Sequence, residues 1–183
     1  MNLHQLQSVL HAPFFLFIKT NLQQKMRKVL LLLCLMIGMV VNAQNNTKVG
    51  NVELGTDYAT ALEQIKAEYG EPVSVTENMV TYKNKRHEGM NFDEVVFKFR
   101  NGKFNEARFY QKAGSRAASQ KQLEVVAKEM GKNHNMTKDF EDGRIWFYKG
   151  GKAPVGLGHF MTISSTPRQG TYYTELRYGP FSF

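Results

Sequence analysis

Three histidines follow residue 43: His87, His134 and His159. A protein metal site needs imidazoles and carboxylates that local structure brings to one point, as two histidines four apart on a helix do. None of the three stands at such a spacing from another His, Asp or Glu. The only cysteine is Cys34, inside an apolar N-terminal run, so the chain beyond that run offers no thiolate ligand, no disulfide and no Cys nucleophile. Ser164-Ser165 lacks the Gly-x-Ser-x-Gly turn that exposes a hydrolase serine. Gly150-Gly151-Lys152 has Trp146 where a phosphate loop needs its first glycine and Ala153 where it needs Ser or Thr. Gly156-Leu157-Gly158 lacks the third glycine of a dinucleotide site. The paired carboxylates Asp93-Glu94 and Glu141-Asp142 fall at a strand start and a turn, where they solvate and cap. No catalytic residue, metal or cofactor is expected, and the chain reads as a non-enzyme.

The residues that remain are suited to binding. Glu106-Ala107-Arg108-Phe109 returns as Glu175-Leu176-Arg177-Tyr178, 69 residues later. Arg and Tyr are enriched at interfaces, because each adds a large contact area with a polar end. The expected binding set is Arg100, Arg108, Tyr110, Tyr173 and Arg177, with Arg108 and Arg177 as symmetric anchors. The same Glu-x-Arg pairs also suit a duller role, since cross-strand ion pairs on a wet sheet face stabilise their neighbours by about 0.2–1 kcal/mol. The charge is +8, from 24 basic and 16 acidic residues, but acids are interspersed among the cations. That pattern speaks against a nucleic-acid surface.

The elements that must position these side chains centre on residues 93–110. Two alternating runs flank Asn101-Gly102, a hairpin signal. A three-residue loop pairing Phe99 with Lys103 is the expected register. It places Val95, Phe97, Phe99, Ala107 and Phe109 on one face, and Lys98, Arg100, Glu106, Arg108 and Tyr110 on the other. Phe104 is then stranded on the polar face unless a bulge turns it. Tyr58, Ala61, Leu62, Ile65 and Tyr69 form one helical stripe, closed by Gly70-Glu71-Pro72. Leu123, Val126, Ala127 and Met130 form another, closed by Gly131. Residues 84–91 read as a charged loop containing His87. Residues 135–140, 144–149, 159–166 and 171–179 read as strands. Matching features recur at offsets of 61, 66 and 69 residues, as a duplication with insertions gives. The predicted fold is α+β: two tandem α-β-β-β repeats forming an antiparallel sheet, with both helices packed on one face. Residues 44–114 and 115–183 are the copies, together one compact domain.

Residues 1–43 read as an address. Met26-Arg27-Lys28 is a basic start, 29–41 an apolar run, and Val41 and Ala43 suit cleavage before Gln44. Translation from Met26 is the simplest account of the segment before it. Four cations and no acid leave with this segment, so +4 remains. The run is short for a bilayer span, which takes about 20 residues, and no transmembrane segment is expected after cleavage. Export to the periplasm or beyond follows.

Leu54-Gly55-Thr56, the first helix, Gly70-Glu71-Pro72, the Tyr82 strand and the Asn101-Gly102-Lys103-Phe104 hairpin carry a family resemblance. The chain resembles β-lactamase-inhibitor-protein-like (BLIP-like) and PepSY-like secreted proteins over about residues 48–179, and more weakly the SmpA/OmlA (BamE) envelope proteins. The second copy lacks the proline after its helix, and no lipid-anchor cysteine is present. What the resemblance and the export pattern imply is a small envelope or secreted protein that binds a protein or peptide through its helix-free sheet face. A BamE-like envelope-assembly accessory and a small exported hydrolase are the alternatives.

Overall fold

The computed structural model describes residues 47–141, 145–153 and 158–183. The expected signal peptide and the turn after Glu141 lie outside the described residues. Asn45–Phe183 hold together as one unit. Short strands β1 (Lys48–Val49) and β2 (Val52–Glu53) pair and lead into helix α1 (Tyr58–Tyr69). Strands β3 (Ser74–Thr76), β4 (Met79–His87), β5 (Met90–Arg100) and β6 (Lys103–Ala113) follow. Helix α2 (Arg116–Met130) precedes β7 (Met136–Glu141), β8 (Ile145–Gly150), β9 (Met161–Arg168) and β10 (Thr171–Tyr178). Strands β3 to β10 form one antiparallel sheet in the order β3-β4-β5-β6-β10-β9-β8-β7. The fold is therefore α+β with a large antiparallel sheet. Each helix is followed by four strands rather than three; the extra strand in the first half is the short β3, made by the bend at Glu77-Asn78.

Both helices form where apolar stripes recur at helical spacing. Helix α1 buries Ala61, Ile65 and Tyr69, and half-buries Tyr58 and Leu62. Its start is Asp57, whose carboxylate pairs with Lys103 at 3.2 Å instead of capping the helix. Gly70 ends it at a φ of 78°, a conformation costly for any residue with a Cβ. Helix α2 buries Leu123, Val126, Ala127 and Met130, and the Ser115 side chain accepts from the Ala118 N–H at 3.1 Å. Ser119 donates to the Tyr173 carbonyl and meets Thr174, which shares its sheet face with Leu176 and Tyr178. Tyr178 packs on Phe109, and Phe109 on Tyr69 of α1. Both helices thus cover the same face of the sheet.

The central hairpin corrects the expected register. Arg100 pairs with Lys103 and Phe99 with Phe104, across a two-residue Asn101-Gly102 turn with both φ values positive (53° and 72°). Register then shifts, with Asn105 as the extra residue, so that Lys98 faces Glu106 and Phe97 faces Ala107. The bulge reconciles two demands. Phe99 and Phe104 both reach the core next to the turn, while Val95, Phe97, Ala107 and Phe109 keep the apolar face beyond it. Phe104 is fully buried.

A second hairpin was missed. Residues 84–91 form no loop; β4 and β5 pair through to His87↔Met90 around Glu88-Gly89, again with positive φ at both (47° and 80°). Asn84 also has a positive φ, 51°. Side-chain alternation shifts there, so that His87 enters the core.

Candidate functional site

The helix-free face presents alternate residues of the central strands. Arg108 and Tyr110 on β6, and Tyr173 and Arg177 on β10, become neighbours because β10 pairs with β6 rather than with its own half's outer strands alone. Arg108 lies directly opposite Arg177. The Tyr110 and Tyr173 rings meet edge to face with centroids 6.0 Å apart. Four of the five expected residues are therefore brought together. Arg100 is not among them. It lies at the hairpin tip, bordering a cavity of about 100 Å³ with Asn101, Asn105 and the tail residues Phe181, Ser182 and Phe183. Phe181 is anchored there by its N–H to the Asn105 carbonyl, 3.0 Å.

Charges on this face are largely neutralised from within. Glu106 is only 4% exposed, yet accepts from Arg108 Nη2 at 2.6 Å and Nε at 2.7 Å, and pairs with Lys98 at 3.2 Å. Arg108 also reaches Glu175 Oε1 at 3.5 Å, and Glu175 Oε2 accepts from the Thr166 hydroxyl at 2.8 Å. Burial works against the Arg108 charge, but Tyr110, Glu106 and Glu175 outweigh it and push its pKa up. Glu94 follows the same logic. Burial opposes its ionisation, while Lys83 and Arg168 outweigh burial and hold the carboxyl below its usual range.

Arg168 is the residue that sequence reasoning missed on this face. Its guanidinium lies 4.1 Å from the Tyr110 ring centre and 5.5 Å from that of Tyr173, and it pairs with Glu94 at 2.8 Å. It falls in the gap between the expected strands 159–166 and 171–179. The turn is Gln169-Gly170, both with positive φ, and Arg168 belongs to β9 opposite Thr171. Tyr110 is consequently 4% exposed, sealed beneath Arg168, and Tyr173 is half-buried.

Arg177 differs from its counterpart. It has no ion pair among the described residues, and its Nε is buried without an acceptor. Burial lowers the His159 pKa, and the nearby Lys149 and Arg177 charges lower it further.

On the helix side, His87 is a second polar cluster that the sequence did not disclose. It is 5% exposed, and its ring stacks on Phe109 at 4.1 Å. Nδ1 lies 2.9 Å from the Tyr69 hydroxyl and Nε2 lies 2.9 Å from that of Tyr178. A neutral imidazole has one N–H and one bare nitrogen, so it donates to one of these hydroxyls and accepts from the other. Burial, reinforced by His134, lowers the His87 pKa to about 3. Burial likewise raises both tyrosines. A neutral imidazole between two protonated phenols is a structural tie between β4, α1 and β10, not an acid–base pair poised near neutrality. Among the described residues, no three His, Cys, Asp or Glu side chains converge as a metal site, and no helix is long and apolar enough to cross a membrane. The chain matches no protein-family model, and comparison with curated proteins and with solved structures returned no match.

Proposed function

We propose that this chain is an exported, non-enzymatic binding protein of the bacterial envelope or secreted fraction, and that its helix-free sheet face docks a protein partner through an acidic segment. One observation carries the reading. Among the described residues no helix covers this face, and it holds more cations than carboxylates, with Lys112 and Arg177 beyond the internally matched Lys83, Lys98, Arg108 and Arg168 with Glu94, Glu106 and Glu175. The basic, apolar and small-residue series at 26–43 supports export.

We read the two halves as tandem copies, in keeping with the proposed β-lactamase-inhibitor-protein-like or PepSY-like kinship. The strand order supports this, being a palindrome of four strands and four strands about the β6–β10 pair. At an offset of 69, equivalent residues meet where Arg108 faces Arg177, so a pseudo-twofold axis passes through that pair.

The test is site-specific photocrosslinking in the envelope of the source cell. Crosslinkers at Thr81 and Lys112 sit on the helix-free face; one at Val125 sits on α2, where that side chain is 61% exposed. Adducts from Thr81 and Lys112 but not from Val125 are expected. Adducts from Val125 alone would overturn the reading.

A further inference from the structure

We infer that Arg177 is a receptor for a carboxylate carried by the partner, and that the internal carboxylate which would otherwise neutralise it has been diverted to Arg108. The inference rests on the proposed use of the helix-free face. In the first half, Glu106 neutralises Arg108 two residues along the same strand. The equivalent pair in the second half is Glu175 and Arg177. Glu175 does not close that pair: its Oε2 accepts from Thr166, and its Oε1, buried without a hydrogen bond, lies 3.5 Å from Arg108 Nη1. Arg108 is thus within ion-pair distance of two carboxylates, and Arg177 of none among the described residues.

This arrangement costs free energy in the unbound protein. The Arg177 Nε is out of contact with water and has no acceptor, while a second guanidinium lies directly across the strand pair. A buried charged donor without a partner is rare in native proteins, and an absent ligand is one of its recurring causes. Arg177 is only half-buried as a residue, so an incoming group has access. The chemistry of that group follows from the surroundings. One unmatched guanidinium suits a single negative charge. A phosphate, with up to two charges, would call for a second free cation, and the adjacent Arg108 is already hydrogen-bonded to Glu106 and within ion-pair distance of Glu175. The surface is an open sheet face beside the Tyr173 ring, which favours a side chain presented by a peptide. The occupant is therefore an Asp or Glu of an extended acidic segment.

The probe is a synthetic peptide of alternating Glu and Thr, with a Gln-for-Glu control and inorganic phosphate as a separate titrant. The readout is the Arg Nε–H resonance of the purified protein. The acidic peptide is expected to shift the Arg177 resonance saturably, the Gln peptide to leave it in place, and phosphate to move it only at far higher concentration. Arg177→Gln should weaken peptide binding at least tenfold. Arg177→Lys, which keeps the charge and removes Nε, should recover only part of it. Undiminished binding to Arg177→Gln overturns the inference, as does tight phosphate binding or an Arg177–Glu175 bond in the free protein. Crosslinks at Thr81 and Lys112 that persist in Arg177→Gln overturn the carboxylate receptor alone. Their absence from the unmodified protein overturns the docking face itself.

Discussion

His87 shows how one buried side chain converts pH into stability. Its pKa is about 3 in the fold, against 6.5 for the free side chain. The unfolded chain therefore takes up a proton first as the solution is acidified. Stability from this group is fully present above pH 6.5, falls between 6.5 and about 3, and is constant below. The total is on the order of 5 kcal/mol. Urea midpoints of the native protein should fall steadily from pH 7 to pH 4. His87→Leu should cost about 1–3 kcal/mol at pH 7, since it strands two tyrosine hydroxyls, and it should flatten most of the slope. An unchanged slope would mean that the imidazole is not buried between the tyrosines. The two arginines give a second contrast at this scale. Arg108→Ala leaves Glu106 and Glu175, 4% and 5% exposed, without their main counter-charge. A loss of about 1–3 kcal/mol is expected, below the value for a fully buried pair because Arg108 itself is 26% exposed. Arg177→Ala removes no ion pair and should leave the melting temperature within a degree or two, on the order of 0.5 kcal/mol.

Among the elements, the central hairpin governs the core. Phe97 is fully exposed to other side chains and to no solvent: it meets the rings of Tyr69, Tyr82, Phe104 and Phe109. Phe97→Ala should cost about 3–5 kcal/mol in denaturant unfolding, and an unchanged transition would contradict this packing. The helices were legible in the sequence, because a stripe such as Tyr58, Ala61, Leu62, Ile65 and Tyr69 depends only on local spacing. The face of the hairpin was legible for the same reason. Its register was not, because Phe99 and Phe104 can both turn inward only if the chain spends an extra residue at Asn105. His87 was hidden by its neighbours. Lys85, Arg86 and Glu88 read as solvent-facing, while the positive φ of Asn84 shifts the alternation and turns the ring inward. The residues of the proposed binding face were legible as types and as the Glu-x-Arg echo at an offset of 69. The division of labour between Arg108 and Arg177 was not, because it depends on which guanidinium Glu175 reaches across the strands.

For the whole unit, the β6–β10 pairing decides whether the halves behave as one body. Seven residue pairs, from Tyr172↔Ala113 to Tyr178↔Ala107, join them at the middle of the sheet. The tie is also made through side chains. Tyr178 of the second half is hydrogen-bonded to His87 of the first and packs against Phe109, while Thr166 and Glu175 extend the polar network to Arg108 on the other face. Buried residues of both halves form one continuous cluster, so neither half closes its apolar face alone. A structure of this kind should unfold in one step. The chain has a single tryptophan, Trp146, which belongs to the second half. Its fluorescence therefore follows that half, while far-ultraviolet circular dichroism follows the whole sheet. The two urea curves should coincide, with an m-value of about 1–3 kcal/mol/M. Tyr178→Phe, which removes the bond to His87, should shift both curves together by about 1 kcal/mol. A fluorescence transition separated from the dichroism transition would show that the halves unfold independently, and that the pairing of β6 with β10 is an association of two domains rather than the centre of one.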